Sequence, residues 1–231
     1  MQEHHIAVGR TARYVLLGPT AKAAAVQEVW FVLHGYGQLA ATFACQFEIL
    51  DDGTRLIIAP EALNRFYMTG VASAPASERP VGATWMTRED RQHEIADYIA
   101  YLDALWRSVT TNLPAQQPLR LTVLGFSQGT ATAARWASLG AARPAHLVLW
   151  GGLLPPELDI ADPNHPLRDM DLRFVIGSRD GFVTDARLAE EESRMQAAGL
   201  PYEVVRYDGG HGIKRDPLLE IAHGIARLPY G

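Results

Sequence analysis

With 231 residues, 48% hydrophobic and 20% charged, the chain is long enough to bury one substantial core, and residues 1–231 are expected to form a single α/β domain. A net charge of −5, with acids and bases interspersed, provides no basic face for nucleic acid or an anionic membrane. Cys45 is the only cysteine, which excludes an intrachain disulfide, and no segment has the length or apolarity for stable membrane insertion; with no export signal in Met1–His5, a cytoplasmic protein is expected.

Taken in chain order, Ile6–Val8 and Arg13–Leu17 flank Gly9-Arg10 and predict an N-terminal antiparallel hairpin at the edge of a sheet. Glu28–Leu33 is an apolar strand that runs into a glycine-flanked turn, His34-Gly35-Tyr36-Gly37. Residues 40–50 place Phe43, Phe47 and Leu50 on one side of a helix, with Leu39 just ahead, and Cys45 is expected to pack there. A strand near 54–59 leads into a long connection, 60–86, which carries Gly70, Pro75, Pro80 and Gly82. The longest helix is predicted to start at Thr87, capped with Asp90, and repeats Ile95, Ile99, Leu102, Leu105, Trp106 and Val109 at helical spacing up to a stop at Pro114. Strands near 119–126, 145–150, 171–177 and 202–207 follow, with helices between most of them and a proline-rich irregular stretch at 151–170. That alternation argues for an α/β fold: a mostly parallel, twisted sheet with helices on both faces.

The chemistry is concentrated where strands end. Gly125-Phe126-Ser127-Gln128-Gly129 lies between an apolar strand and an Ala-rich helix, the strand-turn-helix setting of a nucleophile elbow, and glycines on both sides of Ser127 allow the sharp turn that exposes its hydroxyl. A serine hydroxyl is a poor nucleophile until an imidazole takes its proton, and the imidazole needs a carboxylate to fix its tautomer. Ser178-Arg179-Asp180-Gly181 follows a buried strand and supplies the acid, Asp180; Asp208-Gly209-Gly210-His211-Gly212 breaks the last strand and supplies the base, His211. Asp208 is expected to brace its own turn, and Asp185 to sit in the first turn of the next helix. The turn after Leu33 can direct the main-chain N–H of Tyr36 at a developing oxyanion, with the N–H of Gln128 as its partner. His34 is expected to pack in the loop and not to act as acid or base.

Leu33-His34-Gly35-Tyr36-Gly37, Gly125-Phe126-Ser127-Gln128-Gly129, Gly177-Ser178-Arg179-Asp180 and Gly210-His211-Gly212, in this order, resemble the α/β-hydrolase superfamily, and within it the phospholipase/carboxylesterase group that includes acyl-protein thioesterases. The resemblance covers the chain from about residue 28 onward. It implies a cofactor-free serine carboxylesterase that hydrolyses small to medium acyl or aryl esters through an acyl-serine, with Ser127, His211 and Asp180 as triad. The alternatives are a thioesterase or lysophospholipase using the same triad and, outside enzymes, a hydrolase-fold ligand-binding protein. Tyr36-Gly37-Gln38 stands where that group commonly closes the oxyanion turn with Gly-Asp, which weighs against acyl-protein thioesterase activity.

The irregular stretches 60–86 and 151–170 leave the same sheet edge and are expected to wall the substrate site. From them and the elbow loops, Phe66, Met68, Trp85, Leu153 and Phe182 are the candidate pocket residues, because an apolar wall favours an acyl chain or aromatic ring and excludes water. Arg65, Arg79 and Arg88 are expected to be solvated. The adjacent His4-His5 lack the spacing that converges imidazoles on one ion, and no phosphate-binding glycine run follows a strand, so neither a metal nor a nucleotide cofactor is expected.

Overall fold

Buried on both faces, an apolar run can only be an inner strand of a covered sheet. Glu28–Leu33, Arg55–Pro60 and His146–Trp150 are buried at every position, and Arg120–Phe126 at all but its first. The computed structural model describes residues 1–19, 26–69, 75–111, 113 and 119–226. In it these four runs are β2, β3, β7 and β6 of a seven-stranded sheet. The remaining members are β1 (Tyr14–Leu17), β8 (Asp171–Gly177) and β9 (Glu203–Tyr207), in the order β1-β3-β2-β6-β7-β8-β9. Only β1 runs antiparallel, opposite β3 with Tyr14 facing Pro60. The antiparallel edge is therefore present, but one strand makes it: residues 6–8 do not pair with 13–17, and β1 takes its hydrogen bonds from β3 instead.

Alternation along the strands divides the core. Val29, Phe31 and Leu33 join Leu102 and Leu105 of α2 (Arg91–Thr110), Trp136 of α3 (Gln128–Leu139) and Leu188 of α4 (Asp185–Ala198) on one face. Trp30 and Val32 meet Phe43 of α1 (Ala40–Ala44) and Leu218 and Ile221 of α5 (Arg215–Ala226) on the other. Each such side chain taken out of water contributes about 1.5–3 kcal/mol.

Three local expectations need correction. After Ala44 the chain tightens into a 3₁₀ helix, Cys45–Leu50, which turns Phe47 and Leu50 into the core and leaves Cys45 exposed instead of packed. The long helix starts at Arg91, because Asp90 adopts a left-handed conformation (φ 48°), and Thr87, outside the helix, donates its N–H to the carboxylate of Glu94 in the first turn. Its expected stop, Pro114, lies outside the described residues, as does Gly70. The stretch 60–86 is not structureless: β4 (Asn64–Tyr67) pairs antiparallel with β5 (Val81–Thr84), with Asn64 opposite Thr84.

Candidate active site

Four consecutive parallel strands bring the site together. Ser127, Gly151, Asp180 and His211 follow the C-terminal ends of β6, β7, β8 and β9, the sheet edge where α/β proteins bind ligands. Phe126 of β6 is in register with Trp150 of β7, and Gly177 of β8 with Tyr207 of β9.

Ser127 has φ 53° and ψ −116°, a backbone conformation that non-glycine residues rarely adopt. Its surroundings hold it there. The Ser127 N–H donates to Trp150 O at 2.9 Å, and the Ser127 carbonyl accepts from Thr130 N–H at 3.0 Å and from the Thr130 hydroxyl at 2.6 Å. The flanking glycines are forced by contact: a Cβ on Gly125 would lie 2.2 Å from Gly129 O, and one on Gly129 would lie 2.2 Å from Leu33 O.

Asp180 and His211 meet. His211 Nδ1 lies 2.8 Å from Asp180 Oδ2, and the other carboxylate oxygen accepts the N–H groups of Phe182 and Val183 at 2.8 and 3.0 Å. The Asp180 side chain is fully buried, and these donors satisfy its oxygens. Donation from Nδ1 to the carboxylate leaves the Nε2 lone pair free to take a proton. Gly151 links this pair to the elbow. It follows Trp150, whose carbonyl holds Ser127, and a Cβ at Gly151 would come within 3.0 Å of the His211 ring and 3.4 Å of Asp180 Oδ2. The Phe126 ring, next in chain to Ser127, lies 5.0 Å from that of His211.

The His211 loop is held from beneath. The Tyr207 hydroxyl lies 2.8 Å from Gly210 O and 2.7 Å from Gly212 O, and Trp150 Nε1–H points at Gly212 O and at the same hydroxyl, 3.2 Å from each. Asp208, by contrast, turns to solvent and pairs with Arg179 and the Ser178 hydroxyl; Asp185 lies in the first turn of α4, behind a Thr184 cap.

At the proposed oxyanion turn the neighbours of Tyr36 are all engaged. Gly35 N–H donates to Gln38 Oε1 at 2.8 Å, Gly37 N–H to Ala83 O at 2.9 Å and Gln38 N–H to Gly35 O at 3.2 Å. Among the described residues, the Tyr36 N–H has no protein acceptor, and Gln128, as the first residue of α3, has none within the helix. The Gln38 side chain thus does the closing in this turn. Buried His34 supports it from below: Nδ1–H donates to Gly35 O at 2.8 Å and Nε2 accepts from Ala62 N–H at 3.0 Å, an arrangement that needs the neutral ring. Burial lowers its pKa below the ordinary histidine value, against the opposing pull of the Gly35 carbonyl, and so reinforces that state.

The chemistry is also visible at the level of family. Residues 27–216, from the approach to β2 to the start of α5, match the serine hydrolase (FSH1) family. The chain belongs to that family. No curated protein sequence matches it significantly. Among solved structures, the esterase PE8 superposes with a TM-score of 0.67 at 19% identity, over 94% of this chain and 99% of that one. A carboxylesterase from Mesorhizobium loti gives 0.68 at 17% identity over 94% and 95%, and Zea mays acyl-protein thioesterase 2 gives 0.67 at 18% over 94% and 98%. At such identities the likeness establishes the α/β-hydrolase fold. The protein is a serine hydrolase, and no helix among the described residues is long and apolar enough to cross a membrane.

The five candidate pocket residues separate in this setting. Met68, largely exposed, sits with its Cε 3.2 Å from where a Cβ on Gly37 would be, and the Phe66 ring lies 5.1 Å from, and tilted by 34° to, that of Tyr36, whose exposed ring sequence reasoning left out. Phe182, 65% exposed, lies 4.5 Å from the His211 ring. Leu153 is half-buried against the core. Trp85 is 1% exposed and belongs to the core, where its indole N–H donates to His34 O at 2.8 Å and supports the turn. Of the three arginines, Arg65 pairs with buried Glu61 at 2.6 Å, Arg79 lies over the Tyr67 ring at 4.2 Å, and Arg88 is exposed.

A clamp missed in the sequence joins the elbow to the β4–β5 hairpin. Gln128 Nε2 donates to Thr84 Oγ1 and Met86 O at 2.8 and 2.9 Å, and its Oε1 accepts Trp85 N–H at 3.1 Å. No local pattern marks this, because its partners lie over 40 residues earlier in the chain.

Proposed function

We propose that the protein is a carboxylesterase acting on small to medium acyl or aryl esters, with Ser127 as nucleophile, His211 as general base and acid, and Asp180 as its orienting carboxylate. The observation that carries this reading is the 2.8 Å contact of His211 Nδ1 with buried Asp180, linked through Gly151 to the strained turn at Ser127. Ser127 Oγ attacks the ester carbonyl while His211 Nε2 takes its proton; the Tyr36 and Gln128 amides receive the oxyanion, and His211 returns the proton to the leaving alcohol. Water, activated by the same imidazole, then releases the acid from the acyl-serine. The exposed rings and thioether of Tyr36, Met68 and Phe182 support an acyl or aryl group in the cleft.

A fluorophosphonate probe and a panel of p-nitrophenyl esters, matched thioesters and peptides test the assignment. Labelling of the parent and not of Ser127→Ala, with esters the fastest substrates, is the expected result. Equal labelling of both proteins would overturn the nucleophile, and faster thioester or peptide turnover would overturn the substrate class.

A further inference from the structure

Away from the elbow, His5 of the N-terminal segment meets Asp90 and His93, an i,i+3 pair at the start of α2. His93 Nδ1 is 2.6 Å from Asp90 Oδ1, His5 Nε2 is 3.3 Å from the same oxygen, and the two imidazoles stack with centroids 4.1 Å apart. We propose that His5, Asp90 and His93 bind one divalent transition-metal ion, with zinc the best fit, which fastens the N-terminal segment to the start of α2.

Two imidazole nitrogens and one carboxylate oxygen suit zinc, nickel or copper better than magnesium or calcium, which prefer all-oxygen shells. Tetrahedral zinc with ligands at about 2.0–2.1 Å has neighbouring donors about 3.3–3.4 Å apart. The three donor atoms here all lie within 4.8 Å of one another. All three residues are exposed, so small rotamer changes close the difference, and water can fill the fourth position.

The setting adds a second argument. The cluster borders a cavity of about 690 Å³ between residues 5–12 and α2. Its charged lining includes the carboxylates of Asp90, Glu94 and Asp97 with one arginine, Arg10, which is tied to Asn64 at 3.0 Å. These carboxylates outweigh the positive partial charge of the helix N-terminus. The segment needs such a fastening. It has no strand or helix before Tyr14, and Ile6 and Val8 are 87% and 79% exposed, so apolar burial contributes little to holding it.

The proton balance is simple. Without metal, His93 Nδ1–H donates to the Asp90 carboxylate. The metal replaces this proton, which moves to Nε2 of a neutral ring; a protonated ring releases one proton to solvent. The adjacency of His4 and His5 in sequence concealed the site, since the partners of His5 lie more than 80 residues away.

The test uses the full chain, untagged and stripped with chelator, titrated calorimetrically with Zn²⁺ at pH 7.5, alongside His5→Ala, His93→Ala and Cys45→Ser. We expect one ion per chain, binding at least tenfold weaker in each histidine variant, no change in Cys45→Ser, and weaker binding at pH 5.5. Zn²⁺ is also expected to slow tryptic cleavage at Arg10 and Arg13 in the parent and not in His5→Ala. Absence of binding by the parent, or equal affinity in the histidine variants with their circular dichroism unchanged, overturns the site. Metal binding without protection from trypsin overturns the fastening.

Discussion

Replacing Tyr207 with phenylalanine isolates the support of the His211 loop, because the ring stays in the core and only the hydroxyl is lost. That hydroxyl carries one proton for two carbonyls, Gly210 O and Gly212 O at 2.8 and 2.7 Å, while Trp150 Nε1–H retains Gly212 O at 3.2 Å after the change. The net loss is about one intramolecular hydrogen bond, ~1 kcal/mol. For a chain of this length that lowers Tm by about 2–4 °C. If the same energy holds His211 in its reactive position, kcat falls about fivefold, since 1.36 kcal/mol corresponds to a factor of ten. KM for a short ester stays unchanged, because Tyr207 is buried beneath the loop, away from the cleft. Initial rates with a p-nitrophenyl ester and calorimetric melting measure both quantities. A Tm lowered as expected with kcat unaltered would refute the positioning role, and an unaltered Tm would refute the hydrogen-bond accounting.

Gly151→Ala should be harsher: it puts a Cβ at φ 66°, 3.0 Å from the His211 ring, and is expected to reduce kcat more than tenfold while the circular dichroism spectrum stays that of the parent. On the proposed reading, Phe182→Ala removes a largely exposed ring beside His211 whose contact with an aryl substrate is worth about 0.5–1.5 kcal/mol, so kcat/KM for a naphthyl ester should fall about two- to thirteenfold and that for an acetyl ester of a small alcohol much less, measured as a ratio between the two substrates. Gln128→Ala leaves the Trp85 N–H and the Met86 carbonyl without their clamp and should cost ~1–3 kcal/mol in a urea titration. Partial burial pushes the Glu157 carboxyl up, but hydrogen bonds from Arg135, its own backbone N–H and Arg91 outweigh this and hold it at about 2, below its ordinary 4.5. A depressed carboxyl stabilises the fold above its unfolded pKa and loses that contribution as pH falls through the folded value. Thermal melts of the parent should therefore drop more steeply between pH 4.5 and 2 than those of Glu157→Gln; parallel curves would remove the ion pairs from the account.

Much of the fold, and the candidate residues of the site, are legible before any coordinates. Apolar runs at β2, β3, β6 and β7 have no place except inside a covered sheet, while the division of Phe31 and Trp30 between opposite faces comes from the structure. The elbow at Ser127 declares itself because two glycines and an apolar strand are adjacent in the chain, and the loop carboxylate and histidine appear at the ends of later strands in the expected order. Where contacts are remote, the sequence is silent. Nothing local signals that β1 pairs with β3 and not with residues 6–8, that the Gln128 side chain pins the β4–β5 hairpin, or that Trp85 turns inward to hold His34 O. Short-range patterns report the periodicity and turn chemistry of neighbouring residues. Strand order, the reach of Asp180 to His211 and the meeting of His5 with His93 depend on how distant segments share one core and one surface, and only the packed chain decides those.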